Sequence, residues 1–165
     1  METRPEQPDD TLAIRQITTA AFESAEHTNH NEAAIVEELR RSGALDLSLV
    51  AVADGEIVGH VAFSRVTMNE IDHGWFGLGP VSVRPDRQRM GIGGALIREG
   101  LAHLKHTEAK GCVVLGDPRY YRRFGFENDQ KLQLQGVPPE YFMRLVFDCA
   151  VPAGNVTYHQ AFQTP

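Results

Sequence analysis

The residues of this sequence that could do chemistry are concentrated in a glycine-rich stretch, residues 88–95. Its glycines carry no Cβ, so an anionic ligand can approach the main chain closely. Apolar residues at helical spacing follow, which predicts a helix beginning near Gly93, with unpaired N–H groups and partial positive charge at its N-terminus. Three arginines add full positive charges: Arg84, Arg87 and Arg89. We therefore predict that this turn binds a pyrophosphate.

Other motifs that bind nucleotides or support catalysis do not fit the sequence. A Walker A loop needs Gly-Lys followed by Ser or Thr, which does not occur, and the dinucleotide fingerprint needs a third glycine where Leu96 stands. The histidines lack the spacings of common metal sites, and no G-x-S-x-G elbow is present. These observations exclude the two nucleotide-binding motifs. The predicted pyrophosphate therefore belongs to a different kind of ligand.

Two sequence blocks resemble one known family. Gln88–Gly93 fits the pattern Q/R-x-x-G-x-G/A and resembles the acyl-CoA signature of the GNAT superfamily of N-acetyltransferases. Further along, Tyr120–Phe126 resembles the family's Y-x-x-x-G-F block, and with Leu115–Pro118 before it this region is similar to the bacterial predicted acyltransferases of the YhbS type. Both blocks occur in the family's order, so the resemblance is more specific than either block alone.

The resemblance implies that acetyl-CoA is the co-substrate and that no metal is needed. It places the diphosphate on the main chain of the turn and the pantetheine arm along the strand before it, whose N–H groups would also stabilise an oxyanion. Pro80 has no N–H, which would help to open the sheet at this point. The residues implied for cofactor binding are Val81, Ser82, Val83, Gln88, Arg89, Met90, Gly91, Ile92, Gly93, Gly94, Ala95 and Tyr121.

The resemblance also implies a catalytic acid, Tyr121, which stands four residues before Gly125. A phenol with a pKa of about 10 stays protonated at neutral pH and can protonate the leaving thiolate. Tyr120 is the second choice. The general base stays open, because the predicted strand before the turn contains no carboxylate. The candidates are Glu70, Asp72, His73, His60, Asp117 or a water relay, and the candidates for the acceptor site are His27 and His30.

Composition limits the class of protein. The formal net charge of −6 argues against a nucleic-acid-binding protein, and no apolar run reaches the length of a membrane span. The polar N-terminus lacks the apolar core of a signal peptide. Cys112 and Cys149 each border an apolar run, which favours buried free thiols. We therefore expect a cytoplasmic protein.

The periodicity of apolar residues predicts the elements that position these motifs. We expect a flexible tail over residues 1–10 and a single N-acetyltransferase domain over residues 11–165. The predicted helices cover residues 19–24, 32–41, 93–106 and a short turn after Asp117. The predicted strands cover residues 12–17, 47–53, 57–66, 75–83, 112–115, 141–147 and 156–162. Asp54-Gly55 predicts a hairpin, and residues 112–115 should pair in parallel beside Val81–Val83.

Together, pattern and resemblance predict an α/β (α+β) chain with the acyl-CoA N-acyltransferase fold. Its sheet should be mixed and mostly antiparallel, with about seven strands, helices on both faces and a splayed pair of parallel strands. The predicted activity is transfer of an acetyl group to a primary amine of a small molecule, peptide or protein. A catalytically silent acyl-CoA-binding regulatory domain is the alternative. The expected partners are acetyl-CoA and an unidentified amine, with a homodimer left open.

Overall fold

The computed structural model describes residues 1–26, 28–148 and 150–165. The predictions for His27 and Cys149 therefore lie outside the described residues. The helices are α1 (Thr11–Phe22), α2 (Glu32–Arg41), α3 (Ile92–His106) and α4 (Pro118–Tyr121). The strands are β1 (Glu2–Pro5), β2 (Leu47–Ala53), β3 (Glu56–Met68), β4 (Ile71–Val83), β5 (Gly111–Leu115), β6 (Leu132–Gln133), β7 (Phe142–Val146) and β8 (Gly154–Thr157).

The sheet is mixed and mostly antiparallel, as the sequence predicts. Its main path runs β1-β2-β3-β4-β5-β7, and β8 joins it by pairing with β3 and β6. The neighbours β4 and β5 are parallel, while β1 to β4 form an antiparallel meander. Within residues 1–26, 28–148 and 150–165 the sheet has eight strands, close to the predicted number. The predicted fold class is confirmed.

Helices cover both faces of the sheet. Alternate residues of β3, such as Val61 and Phe63, pack with α3 residues in the largest apolar cluster. The opposite face carries Val50 of β2, which packs with Ile14 of α1 and Val36 of α2. The helix that follows the glycine turn therefore lies on one face, and the α1–α2 pair lies on the other.

The parallel strands β4 and β5 separate partway along their length. Their pairing begins at Trp75–Gly111 and ends at Leu78–Val114, whereas β4 continues beside β3 as far as Val83. The expected pairing of β5 beside Val81–Val83 is therefore wrong in register. From Gly79 onward, the side of β4 that faces β5 is open, and a Cβ built on Gly79 would meet no atom within 4 Å.

The N-terminal predictions need correction. Residues 12–17 lie in helix α1, because the buried side chains Ile14, Ile17 and Thr18 follow helical spacing. The predicted tail instead contains β1, which pairs with β2. Ion pairs stabilise this segment: Arg4 with Asp10 at 2.7 Å and Arg40 with Glu6 at 2.7 Å.

The C-terminal strands are shorter than predicted. Strand β7 pairs with β5, and β8 pairs with Thr67 and Met68 of β3. Strands β7 and β8 therefore do not pair with each other. The predicted strand over 156–162 is wrong after Thr157, where the chain leaves the sheet and enters a 3-10 turn, Gln160–Gln163. Tyr158 and Phe162 stack edge to face, with ring centroids 5.0 Å apart. In the described ranges, no helix has the length and apolar character needed to cross a membrane.

Candidate active site

The glycine turn joins the end of β4 to the start of α3. A 3-10 turn, Pro85–Arg87, follows the strand, and Gly91 precedes the first residue of α3 with a left-handed φ of 83°. Arg89 also has a left-handed φ, of 65°. The side-chain amide of Gln88 donates to the carbonyl of Val83 at 3.1 Å, which ties the turn to the strand. Backbone turns of this kind orient successive N–H groups into a concave anion site.

The main-chain N–H groups of this turn are available for a ligand. The first hydrogen bond of α3 is donated by Ala95 to the carbonyl of Gly91 at 3.0 Å. Within the described ranges, the N–H groups of residues 88–94 donate to no protein acceptor. The predicted anion site is therefore geometrically intact, with the helix dipole directed at it.

The arginines around the turn differ in their partners. Arg84 pairs with Glu56 at 2.9 Å and with Asp86 at 2.6 Å, and Arg87 pairs with Asp54 at 3.4 Å. Their charges are thus partly neutralised, contrary to the role expected from sequence. Across residues 1–26, 28–148 and 150–165, no acidic side chain pairs with the three other arginines near the turn: Arg89, Arg98 and Arg123.

Arg98 belongs to the group of arginines between residues 84 and 98 that the sequence offers for an anionic ligand, whereas sequence reasoning did not single out Arg123. A Cβ built on Gly94 would lie 3.1 Å from Arg98 Nη1, which places that guanidinium at the first turn of α3. Arg98 also lies over the ring of Phe124 at 4.9 Å, and Arg123 lies over the ring of Tyr120 at 4.5 Å. The signal for Arg98 was its spacing from the glycines, one helical turn after Gly94.

The end of β4 presents main-chain groups to the gap between β4 and β5. Arg84 donates its N–H to Val58 of β3 at 2.8 Å. Because main-chain groups alternate in direction along a strand, the N–H groups of Val81 and Val83 face away from β3, into the gap. The side chain of Ser82 is buried on the face of the sheet opposite to the side chains of Val81 and Val83. Its hydroxyl has no hydrogen-bond partner within the described residues.

Tyr121 lies at the β5 side of this gap. Its ring packs against Gly116, where a Cβ would stand 2.3 Å from Tyr121 Cε2, so only glycine leaves room for it. Tyr120 and Phe126 contact the ring edge to face, with centroids 5.0 and 6.1 Å away. Burial raises the pKa of Tyr121 to about 12, which keeps the phenol protonated at neutral pH. The sequence did not single out Gly116.

Tyr120 occupies a different position from Tyr121. Its hydroxyl oxygen would lie 3.5 Å from a Cβ built on Gly93, at the N-terminus of α3. The two adjacent tyrosines therefore divide between the two parts of the site. Tyr120 borders the glycine turn, and Tyr121 borders the strand gap.

The candidate bases do not gather at the gap. Asp72 and His73 lie at the N-terminal end of β4, about 23 and 20 Å from Gly79 at about 3.3 Å per residue. Asp72 also pairs with Arg65 at 3.0 Å. Asp117 caps α4 by accepting from Arg119 N–H at 2.9 Å, as predicted.

His60 is buried on β3, opposite Ser82, and its Nε2 lies 2.8 Å from Ser48 Oγ. Burial lowers the pKa of His60 to about 4, so its ring is neutral at working pH. Among the described residues, the polar contacts of His60 are with Ser48 and Glu6, away from the gap.

His30 lines a cavity between α1 and α2 of about 380 Å³, with Thr18, Phe22 and Glu32 among its other walls. This cavity is on the face opposite α3. The described residues contain no cluster of three or more His, Cys, Asp or Glu side chains that could hold a metal ion. Cys112 is a buried free thiol, as the sequence predicts.

Comparison with known proteins identifies the relatives of this chain. Residues 11–126 match the model of the acetyltransferase (GNAT) family. The uncharacterized N-acetyltransferase YhbS of Escherichia coli K12 is 35% identical over 98% of both chains. A GNAT family acetyltransferase from Brucella melitensis, solved with acetyl-CoA, is 50% identical with a TM-score of 0.89 and covers 98% of this chain and 97% of its own. Escherichia coli YhbS, solved with CoA, has a TM-score of 0.91 at 33% identity, covering 98% of this chain and 91% of its own.

Proposed function

The chain belongs to the acetyltransferase (GNAT) family, and we propose that it transfers the acetyl group of acetyl-CoA to a primary amine by direct attack in a ternary complex. Acetyl-CoA is the co-substrate, as the ligands of the two solved relatives support. The acceptor belongs to a small molecule, a peptide or a protein. A homodimer and a cytoplasmic location stay predictions.

One observation carries the proposal: the unpaired amides of residues 88–94 and the open edge of β4 are continuous. A diphosphate on the turn would direct the pantetheine arm back along β4, where Val81 and Val83 present main-chain groups that can pair with its amides. The arm then ends where the β4–β5 ladder closes, at Leu78–Val114. The thioester is thus expected beside Gly79, near Tyr121.

At that point the reaction needs a hydrogen-bond donor to the oxyanion, an acid for the leaving sulfur and an acceptor for the proton of the amine. The N–H of Val81, the nearer of the two residues to Gly79, would donate to the oxyanion of the tetrahedral intermediate. Tyr121, protonated because its pKa is raised, would pass its proton to the sulfur as the C–S bond breaks. The amine must lose a proton, and we assign this step to water, because the described base candidates are distant from the gap or engaged elsewhere.

Thiol release tests this function directly. Protein and acetyl-CoA are mixed with a panel of small amines and peptides, and free CoA is measured with a thiol reagent. We expect amine-dependent release that Tyr121→Phe suppresses. If the purified protein binds acetyl-CoA by calorimetry but releases no thiol with any amine, the transferase proposal fails.

The second candidate function is a regulatory domain that binds acyl-CoA without turnover. Among the residues that the structure describes, no candidate base has been located at the gap, and this favours the regulatory domain. The two functions differ in one measurable property: during long incubation with amines, a transferase consumes the thioester of acetyl-CoA, whereas a regulatory domain binds acetyl-CoA and leaves the thioester intact.

A further inference from the structure

Tyr158 is a partly buried tyrosine whose hydroxyl is buried and which the proposed mechanism does not use. Its ring covers Gly77 of β4 so closely that a Cβ on Gly77 would stand 2.5 Å from Tyr158 Cε2. Gly77 pairs with Val113, and this is the pair before the β4–β5 ladder ends. The ring therefore lies over the closed end of the gap, on the face opposite α3.

The hydroxyl of Tyr158 has no hydrogen-bond partner among the described residues. Ser64, whose Cα is paired with that of Gly77, also has a buried hydroxyl without a partner, so the two neighbours do not satisfy each other. An unpaired buried hydroxyl destabilises the folded protein, and that cost is recovered when a ligand supplies the partner. The fold thus keeps an unsatisfied phenol on a ring that packs against Gly77, two residues before Gly79, where the thioester is expected.

The chemistry of this hydroxyl selects one kind of partner. Burial raises the pKa of Tyr158 far above its usual value. The phenol therefore stays protonated and acts as a hydrogen-bond donor. An acyl oxygen is an acceptor only, whereas donation to the attacking amine would occupy the lone pair that must react.

We propose that Tyr158 is a second catalytic tyrosine whose hydroxyl donates a hydrogen bond to the acyl oxygen of bound acetyl-CoA. This inference rests on the proposed function for the position of the thioester. Tyr158 and the N–H groups of β4 form the two sides of one oxyanion site. Tyr121, on the opposite face of the sheet, serves the sulfur instead.

The ring is held in place independently of the ligand. Phe162 contacts it edge to face at 5.0 Å, and Val66, Trp75 and Val113 belong to the apolar cluster against which it packs. A donor fixed by such contacts needs little reorganisation when charge develops on the acyl oxygen, which is the condition for effective electrostatic catalysis.

The test compares acetyl-CoA with CoA, because only acetyl-CoA carries the acyl oxygen. Tyr158→Phe keeps the ring and removes the hydroxyl, so we expect an unchanged or higher melting temperature. By calorimetry, the affinity for acetyl-CoA should fall about three- to tenfold, the worth of one neutral hydrogen bond, with no change for CoA. Where turnover is measurable, kcat should fall about 10²-fold with little change in KM for the amine.

Three further variants separate this role from a structural one. Tyr141→Phe removes a hydroxyl from an exposed tyrosine and should leave both affinities unchanged. Ser64→Ala should also preserve the preference for acetyl-CoA over CoA. If Ser64→Ala lowers this preference as much as Tyr158→Phe does, the effect of the Tyr158 hydroxyl depends on Ser64 and the proposal is wrong. Gly77→Ala pushes the ring away from the strand and should lower the acetyl-CoA preference by a second route.

An unchanged ratio of the two affinities in Tyr158→Phe overturns the inference. That outcome is distinct from failure of the proposed function. If the wild-type protein acetylates no amine, the ratio still reports on the hydroxyl, because it is measured by binding alone.

Discussion

Replacing Gly93 with aspartate tests whether the glycine turn binds the diphosphate. Gly93 is the second residue of α3, and a Cβ there would make only ordinary contacts, 3.5 Å from Tyr120 Oη and 3.6 Å from Val83 Cγ2. The backbone at this position is not left-handed, so a side chain is tolerated. Aspartate in the first turn of a helix is itself stabilising by about 0.3–1 kcal/mol. We expect the variant to melt at or above the wild-type temperature.

The effect on binding follows from charge. A carboxylate about 4 Å from one phosphate charge costs about 1 kcal/mol in bulk water and about 4 kcal/mol at an effective dielectric constant of 20. The turn is partly exposed, so the penalty lies between these values. The affinity for acetyl-CoA should therefore fall by about 10- to 100-fold, since 1.4 kcal/mol is a factor of ten.

Gly93→Asn is the matched control, because it has the same size without the charge. Calorimetry with acetyl-CoA and with acetyl-pantetheine, which lacks the diphosphate, separates the two contributions. Gly93→Asp should lose affinity for acetyl-CoA relative to Gly93→Asn, while both bind acetyl-pantetheine equally. Equal acetyl-CoA affinities in the two variants at low salt would refute the assignment of the diphosphate to this turn.

Three further predictions concern Tyr121 and its surroundings. Tyr121→Phe should lower kcat by about 10²-fold or more, with acetyl-CoA affinity within about twofold of wild type, measured by thiol release and calorimetry. Gly116→Ala places a Cβ 2.3 Å from the ring of Tyr121 and should lower kcat without weakening CoA binding, whereas equal turnover would show that the ring need not be held there. Burial raises the pKa of Tyr121 from 10.0 to about 12. The contribution of the protonated phenol to the free energy of unfolding is therefore complete below pH 10 and is lost as the pH rises towards 12. Urea titrations over that range should show a larger fall in unfolding free energy for wild type than for Tyr121→Phe, by up to about 2 kcal/mol, and parallel falls would contradict the raised pKa.

Local signals in the sequence predicted several elements well. Asp54 and Gly55 form the hairpin turn with left-handed φ values of 52° and 77°, because Asp and Gly adopt this conformation readily. Asp117 caps the short helix α4, and Gly125 ends the following 3-10 turn with a φ of 98°. In each case the information lies within a few residues.

Contacts between distant residues could not be predicted from the sequence. Strand β1 has a polar sequence, and it is held by main-chain pairing with β2 and by the Glu6–Arg40 ion pair. A single sequence gives no signal for such a pairing. The sequence alone therefore predicts a flexible tail and places the first strand in the next apolar segment.

The electrostatics of the turn show the same limit. Arg84 and Arg87 are close to the glycines in sequence, but Glu56 and Asp54 of the β2–β3 hairpin partly neutralise their charges. The sequence also predicts the wrong register for β5. The apolar character of Val81 and Val83 favours strands on both sides of them, with β5 as one of the two. Those residues instead border the gap, where no strand covers them.

The most direct test of the whole account is a crystal structure of the protein with bound acetyl-CoA. We predict phosphate oxygens within about 3.2 Å of several main-chain nitrogens of residues 88–94. The pantetheine arm should follow Val83 and Val81, with the sulfur next to Tyr121 Oη. A diphosphate bound elsewhere, or an arm that does not enter the gap between β4 and β5, would contradict the account.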